Sequence, residues 1–432
     1  MENKKLVLDV HEKPKLSQWL ILSIQHVLAM FGATVLVPIL TGLPISCALI
    51  GSGIGTLFYL FVTKGKSPVY LGSSFAYIAP ISSALALGVA TGGNPNYGAV
   101  MGGLVMVGAV YVAIALIIKL IGTKWINKIL PPVVVGSVIM VIGLGLAPSA
   151  VGMATEHIVV ALATLLTAII VSTYAKGILK LLPIVCAIVV GYLTSMAFGL
   201  IDFTPVLEAS WFEIPNFAFL HSKPVFNLEI AMIMIPVAIV TIAEHIGDHL
   251  TLGSIIDRDL TKKPGLHRTL IGDGVATAIG GLLGAPANTT YGENTGVIGL
   301  TKVASVYVIA LAGVIACCLG FIGKFTALIQ TIPNPVIGGM SLLLYGIIAS
   351  SGMRVLINNK VDLGKQRNLI ICAVILVVGI GGLSISLGQI TLSGMALCAI
   401  IGIVLNLILP YEKKCECKHC KCGDKNENHR KN

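Results

Sequence analysis

Charge is scarce in this chain: only 11% of its 432 residues are Asp, Glu, Lys or Arg, and aromatic residues contribute 6%. A soluble domain needs a charged surface that this sequence does not have. At 56% hydrophobic residues and a mean hydropathy of +0.93, the soluble globular classes are excluded. A phosphate-binding Walker loop is also missing, which argues against ATP-driven chemistry, and no cofactor is expected. The opening stretch MENKKLVLDVHEKPK lacks the apolar run of a cleaved signal peptide.

Apolar runs of about 20 residues recur from Trp19 to Pro410. We expect an all-α polytopic membrane protein with about fourteen spans, starting near residues 18, 45, 70, 97, 126, 156, 178, 228, 267, 290, 304, 330, 368 and 391. Lys and Arg then set the orientation. The N-terminus and the loops with Lys64/Lys66, Lys119/Lys124/Lys128, Lys176/Lys180, Lys262/Lys263/Arg268 and Arg354/Lys360/Lys365/Arg367 alternate with connections nearly free of them. Lys302 and the tail fall on the same side. Both termini are therefore expected in the cytoplasm, in a plasma-membrane protein in contact with lipid. The net charge of +10 follows from this bias and needs no nucleic-acid partner.

Four of the ten cysteines, Cys415, Cys417, Cys420 and Cys422, crowd the tail with His419 as CECKHCKC. That spacing could capture a soft metal, although nothing else fixes its geometry and a reduced, solvated cytoplasmic tail is the favoured reading; no metal site is expected elsewhere. The remaining cysteines sit in apolar spans, where Cys acts as a small hydrophobe.

The two halves resemble one another. Gln25-His26 recurs as Glu244-His245, the GSSF at Gly72 as the NTTY at Asn288, and the PVVVG at Pro132 as the PVIGG at Pro335, at offsets of 219, 216 and 203 residues. We expect a cytoplasmic segment 1–17, a seven-span repeat 18–200, an exterior connection 201–227, a second seven-span repeat 228–410 and a cytoplasmic tail 411–432. Seven being odd, the repeats would be inverted, the arrangement in which transporters hold substrate near the bilayer midplane. The aromatic connection with Trp211, Phe212, Phe217 and Phe219 reads as an interfacial belt or a lid.

Chemistry concentrates in two places. The first is Ala287 to Lys302, ANTTYGENTGVIGLTK, where Pro286 and Gly292 bracket a segment that reads as extended backbone. Extended backbone at membrane depth must be buried in protein or line a cavity. Its lone carboxylate, Glu293, would cost on the order of 3 kcal/mol at the bilayer centre, so a role in binding is expected, against the alternative of a helix-capping acid. Thr289, Thr290 and Asn294 add hydrogen-bonding groups, and Tyr291 a ring and hydroxyl. The second is AEHIGDH, where Glu244 and Asp248 share a helix face and His245 and His249 form a pair rotated by one residue. Two carboxylates one turn apart in low dielectric favour holding a proton, unless that end of the helix is wet. His26 reads as a core histidine bonded to a neighbouring helix, and Phe75 and Tyr345 as packing aromatics or as a sandwich for a flat solute.

These residues are similar to those of the nucleobase–cation symporter family, the nucleobase–ascorbate transporters. The resemblance runs from QHVLAMFGATVLVP through YLGSSFAYIAP, AEHIGDH, PGLHRTLIGDG and NTTYGENTG to GGMSLLLYGIIASSGMRVLI, and the family motif stands here as Glu293-Asn294-Thr295-Gly296 with Thr301-Lys302. It implies fourteen spans in two inverted seven-span repeats, a core domain and a gate domain, two short antiparallel strands (YLGSS and NTTYG) meeting at midplane, and a homodimer. It also implies that Glu244 and Glu293 bind a uracil ring, with Phe75, Tyr291, Gly292 and Ala33 around it and Ser341 and Tyr345 facing it from the gate. Where the family's bacterial uracil carriers can have His, this chain has Asp248, so proton coupling is expected to fall on Asp248, His245 or Glu244.

The expectation is proton-coupled import of uracil by alternating access, without enzymatic activity. A xanthine or purine symporter is the alternative of the same architecture. An anion transporter or channel is the alternative of another class, disfavoured by the acidic site. An intramembrane hydrolase is more distant, since His245 and His249 lack the Glu between them that a zinc site of that kind uses.

Overall fold

The computed structural model describes residues 6–89, 95–387 and 390–410; the cysteine-rich tail, with Cys415, Cys417, Cys420 and Cys422, lies outside them. The chain is mostly helical. Its first half contains α1 (Leu16–Thr41), α2 (Ile45–Val62), β1 (Leu71–Ser73), a 3-10 turn at Phe75–Tyr77 and α3 (Ile78–Val89). After these come α4 (Tyr97–Ile121), α5 (Lys124–Ile129), α6 (Pro132–Gly145), α7 (Ala147–Thr155), α8 (Ile158–Tyr174) and α9 (Pro183–Ala197). The connection forms two short helices, α10 (Thr204–Glu208) and α11 (Ala218–His221). The second half continues with α12 (Leu228–Ile256), α13 (Leu266–Leu283), β2 (Asn288–Thr290), α14 (Gly292–Thr301), α15 (Val306–Gly320), α16 (Gly323–Gln330) and α17 (Asn334–Asn358). It closes with α18 (Gln366–Ile380), the hairpin β3 (Ser384–Leu387) and β4 (Ile390–Ser393), and α19 (Gly394–Ile408).

Six helices among the described residues are long and apolar enough to cross a membrane, or seven if the bent pair α15–α16 counts as one span. Others, such as α8, α9, α18 and α19, are apolar but have only 15 to 17 residues, short of the roughly 20 that a straight span needs. Expected starts and observed helices agree to a few residues, with instructive exceptions. The span expected near 126 starts at Pro132, after the short α5, because the Pro131-Pro132 pair has no N–H groups to continue a helix and suits a helix start. The span expected near 304 bends by 81° between α15 and α16. There the connection wedges in: Glu213 N–H donates to the Phe321 carbonyl (3.0 Å) and Gly323 N–H to the Trp211 carbonyl (3.2 Å). The span expected near 391 begins instead in β4, whose partner β3 carries the same Ser/apolar alternation, SISL against ITLS.

Two interruptions meet at the centre. β1 pairs antiparallel with β2 in the register Leu71↔Thr290, Gly72↔Thr289 and Ser73↔Asn288. Ser74 N–H donates to the Ala287 carbonyl (2.9 Å) and Tyr291 N–H to the Tyr70 carbonyl (3.1 Å), so the pairing continues beyond the strands. All six strand residues are buried, and the extended backbone finds its hydrogen bonds inside the protein. Gly72 is required there: a Cβ would lie 2.4 Å from the Tyr291 ring.

Contacts between the halves come in exchanged pairs. α2 packs on α15 as α13 packs on α4, and α1 packs on α15 as α12 packs on α4. Glycines allow the close approaches: a Cβ on Gly53 would meet the Gly313 carbonyl at 2.3 Å, and one on Gly108 the Gly274 carbonyl at 2.5 Å.

Candidate substrate and proton site

Each interruption ends by starting a helix. Tyr291 is the extended N-cap of α14, and Gly292 and Glu293 form its first turn. Ser74 likewise precedes the 3-10 turn that opens with Phe75. The first N–H groups of such half-helices have no intrahelical acceptor and carry partial positive charge, a place for carbonyl oxygens or anions. Gly292 and Glu293 are exposed, and a Cβ on Gly292 would touch nothing within 4 Å, so the start of α14 faces open space.

α12 supplies the opposite wall. Its two i,i+4 pairs part company, as a one-residue rotation requires. Glu244 and Asp248 are half-buried, whereas His245 and His249 are buried. Glu244 lies within electrostatic reach of Asp248, Glu293 and Asp273. Asp248 accepts a hydrogen bond from the Thr290 hydroxyl of β2, which joins α12 to the strand pair.

The histidines point the other way. His245 Nδ1 is 2.8 Å from Asp273 Oδ2 on α13, and both side chains are fully buried. His245 stacks on His249 with ring centroids 4.1 Å apart. His249 Nδ1 lies 2.7 Å from the His245 carbonyl, which can only accept, so that nitrogen carries the hydrogen. In the neutral ring His249 Nε2 is then an acceptor, and the Tyr59 hydroxyl donates to it at 2.6 Å. This leaves His249 a fixed structural histidine.

Sequence reasoning missed Asp273, although the argument applied to Glu293 holds for it: a lone carboxylate within an apolar helix. It did foresee the tie of His26 to a neighbouring helix. Asn294 Nδ2 donates to His26 Nδ1 and to the His26 carbonyl, both at 3.1 Å, fastening α14 to α1.

The remaining expected residues divide. Phe75 is half-buried and meets Tyr345 edge-on at 6.4 Å between centroids, so the 3-10 turn and α17 touch. Tyr345 and Ser341 are buried one turn apart on α17; their hydroxyls lie near each other, and that of Tyr345 near Ser149, yet neither makes a hydrogen bond of good geometry. Tyr291 is buried with its hydroxyl engaged, accepting from Thr34 (3.0 Å) and donating to the Ser73 carbonyl (3.1 Å). Its side chain braces the strands in this conformation, and its backbone caps α14 at the open face. Ala33 is buried on α1. Among the described residues no group of three His, Cys, Asp or Glu side chains is placed to hold a metal ion.

A family model described as the Permease family matches residues 17–387. The chain is 54% identical over 418 residues to the uracil permease of Bacillus caldolyticus, covering 94% of this chain and 95% of that protein. It is 51% identical to the uracil permease of Bacillus subtilis (strain 168), covering 96% and 98%, and 43% identical to that of Escherichia coli (strain K12), covering 93% of each. Among solved structures it is similar to the transmembrane domain of a cyanobacterium bicarbonate transporter, BicA, with a TM-score of 0.60, 15% identity and coverage of 91% and 97%. Murine Solute Carrier 26 family member A9, an anion transporter in the inward-facing state, gives a TM-score of 0.68 at 11% identity, covering 92% of this chain and 68% of that one. At such identities those two likenesses speak to the fold alone. The match over nearly the whole chain, with half-helices that start beside paired strands and a carboxylate at the mouth of one of them, makes this multi-pass membrane protein a member of the permease family of nucleobase–ascorbate transporters, and not an enzyme.

Proposed function

We propose that the protein imports uracil together with a proton by alternating access. The observation that carries this reading is the opposition of Glu293, at the open start of α14, to Glu244 on α12, in a chain whose relatives at 43–54% identity are named uracil permeases. Uracil alternates N–H and C=O groups around one edge. Glu293 and Glu244 accept from the N–H groups, while the backbone N–H groups of Gly292 and Phe75 meet the carbonyls at the half-helix starts. Phe75, Tyr345 and Ser341 close the other side, and Ala33 and Tyr291 hold the frame. The acidic lining disfavours a monoanion as cargo, and so an anion transporter or channel.

Asp248 takes the coupled proton, next to Glu244 and tied to β2 through Thr290; the buried His245–Asp273 pair stands behind it. Protonation lowers the charge that must move with the loaded site. Fourteen spans in two inverted repeats fit the exchanged helix pairs, with the short helices crossing as tilted or half-membrane segments and both termini in the cytoplasm. The exposed apolar faces of α8 and α9, with Leu166, Ile170 and Leu193, suit lipid or a second copy in a homodimer.

Binding of radiolabelled uracil to purified protein, with xanthine as competitor, tests the substrate. Uracil should bind, xanthine should not displace it, and Glu293→Gln should weaken binding by about ten- to a hundredfold, the loss of one charge-assisted hydrogen bond. Displacement by xanthine would move the reading to a purine symporter. For the proton, Asp248→Asn in proteoliposomes should bind uracil yet ignore an imposed pH gradient. A full response in that variant would exclude Asp248 as the carrier.

A further inference from the structure

The polar N-terminus reads in the sequence only as a cytoplasmic segment. In the structure it is a strap. Val7 N–H donates to the Lys302 carbonyl (2.8 Å), Ala304 N–H to the Leu8 carbonyl (2.9 Å) and Val306 N–H to the Val10 carbonyl (3.0 Å), and Leu8 forms a parallel bridge with Val303. The strap thereby covers the segment that leaves α14. Val10 is completely buried, in the apolar cluster that also holds Ile298 of α14 and Leu252 of α12. Next to it, Arg258 Nη2 donates to both oxygens of Asp9, at 2.7 and 2.6 Å, immediately after the end of α12. Ser305 adds a hydroxyl bond to the Glu12 carbonyl at 2.6 Å.

We propose that residues 7–10 are a positioning strand for the binding site. α12 and α14 carry the two walls, Glu244 with Asp248 and Glu293, and the same ends of both helices are joined through this segment. α14 is only ten residues long, so its axis depends on each point that holds it, and beyond the Tyr70 and His26 ties the strap is what holds its far end. The Asp9–Arg258 pair is part-exposed, with 42% and 37% of the side-chain surfaces accessible, and such pairs contribute little. The backbone bonds and the buried Val10 therefore dominate. This inference rests on the uracil reading for its functional readout but not for its structural one.

The test compares two variants of the full chain. Val10→Asp places a charge at a fully buried position, whereas Val7→Asp places the same charge at a position 68% exposed on the same strand. Hydrogen exchange of the α14 amides and the Kd for radiolabelled uracil are measured for both. Val10→Asp should speed exchange across residues 292–302 and weaken uracil binding roughly threefold or more, while Val7→Asp changes neither. A Val10→Asp protein with wild-type exchange and wild-type affinity overturns the proposal, and so does an equal effect of Val7→Asp. If Val10→Asp does not fold, Val10→Ala should shift both readouts in the same direction to a smaller extent, and no shift overturns the proposal. If wild-type protein binds no uracil, the exchange comparison decides alone: a difference upholds the strap while the substrate reading falls.

Discussion

At the scale of single residues, Asp273 and His245 carry a stake that no exposed pair has. Removing one partner of a buried hydrogen-bonded pair leaves the other unsatisfied, at a cost of about 1–3 kcal/mol. Removing both costs less than the sum. A double-mutant cycle with Asp273→Ala and His245→Ala, read as thermal unfolding in detergent, should therefore show a coupling of about 1 kcal/mol or more. Strict additivity would mean that the two side chains act separately despite their 2.8 Å approach. Gly72 makes a steric counterpart. Gly72→Ala puts a methyl group against the Tyr291 ring and should lower stability by about 1–3 kcal/mol, as overpacking does. Since Tyr291 forms the N-cap of α14, uptake should fall with it. A variant as stable and as active as wild type would show that the strands have room to part.

At the scale of elements, α14 is held at three points: at its start by Tyr70, through the Tyr291 N–H; on its flank by His26; and at its end by the N-terminal strap. Asn294→Ala removes the flank tie and leaves a buried His26 nitrogen without its donor, so a loss of about 1–3 kcal/mol is expected in the same unfolding assay. Much of this architecture was legible in the sequence. Apolar runs located the helices, and Pro286 with Gly292 marked the interruption where β2 pairs with β1. Composition could also point to Glu293, Glu244 and Asp248, because carboxylates in apolar surroundings are conspicuous. What escaped depended on partners far away in the chain. The bend between α15 and α16 frees backbone groups that bond to the connection at Trp211–Glu213, more than a hundred residues away. The N-terminal strap became visible only once Lys302–Val306 was placed beside it, and the role of the His245 ring only once α13 brought Asp273 to it. Periodicity reports which face a residue occupies, not which remote group waits there.

At the scale of the molecule, the proposed alternating access requires one body to move against another, and an apolar cluster offers a candidate seam. Leu36 of α1 shares an apolar cluster with Ala150 of α7, Ile188 of α9 and Tyr345 of α17. Phe75 borders this cluster and both of the other two apolar clusters, so the turn that opens the first half-helix sits where all three come together. Gly32 brings α1 close against α9: a Cβ there would lie 3.2 Å from the Ile184 Cβ. A disulfide spans Cβ atoms about 3.5–4.5 Å apart, so Gly32→Cys with Ile184→Cys should bridge after a small adjustment, the second substitution removing the isoleucine methyl groups that crowd the first. If α1 and α9 slide during the cycle, the oxidised double variant should lose uptake in proteoliposomes, and a reductant should restore it. The reduced double variant, and Ile184→Cys alone in both redox states, should transport, which controls for the native cysteines. Uracil binding measured in detergent should persist in the oxidised protein, since the bridge lies outside the proposed contacts and fixes a conformation without filling the site. Full uptake by the bridged protein would place the moving seam elsewhere and leave α1 and α9 as parts of one rigid body.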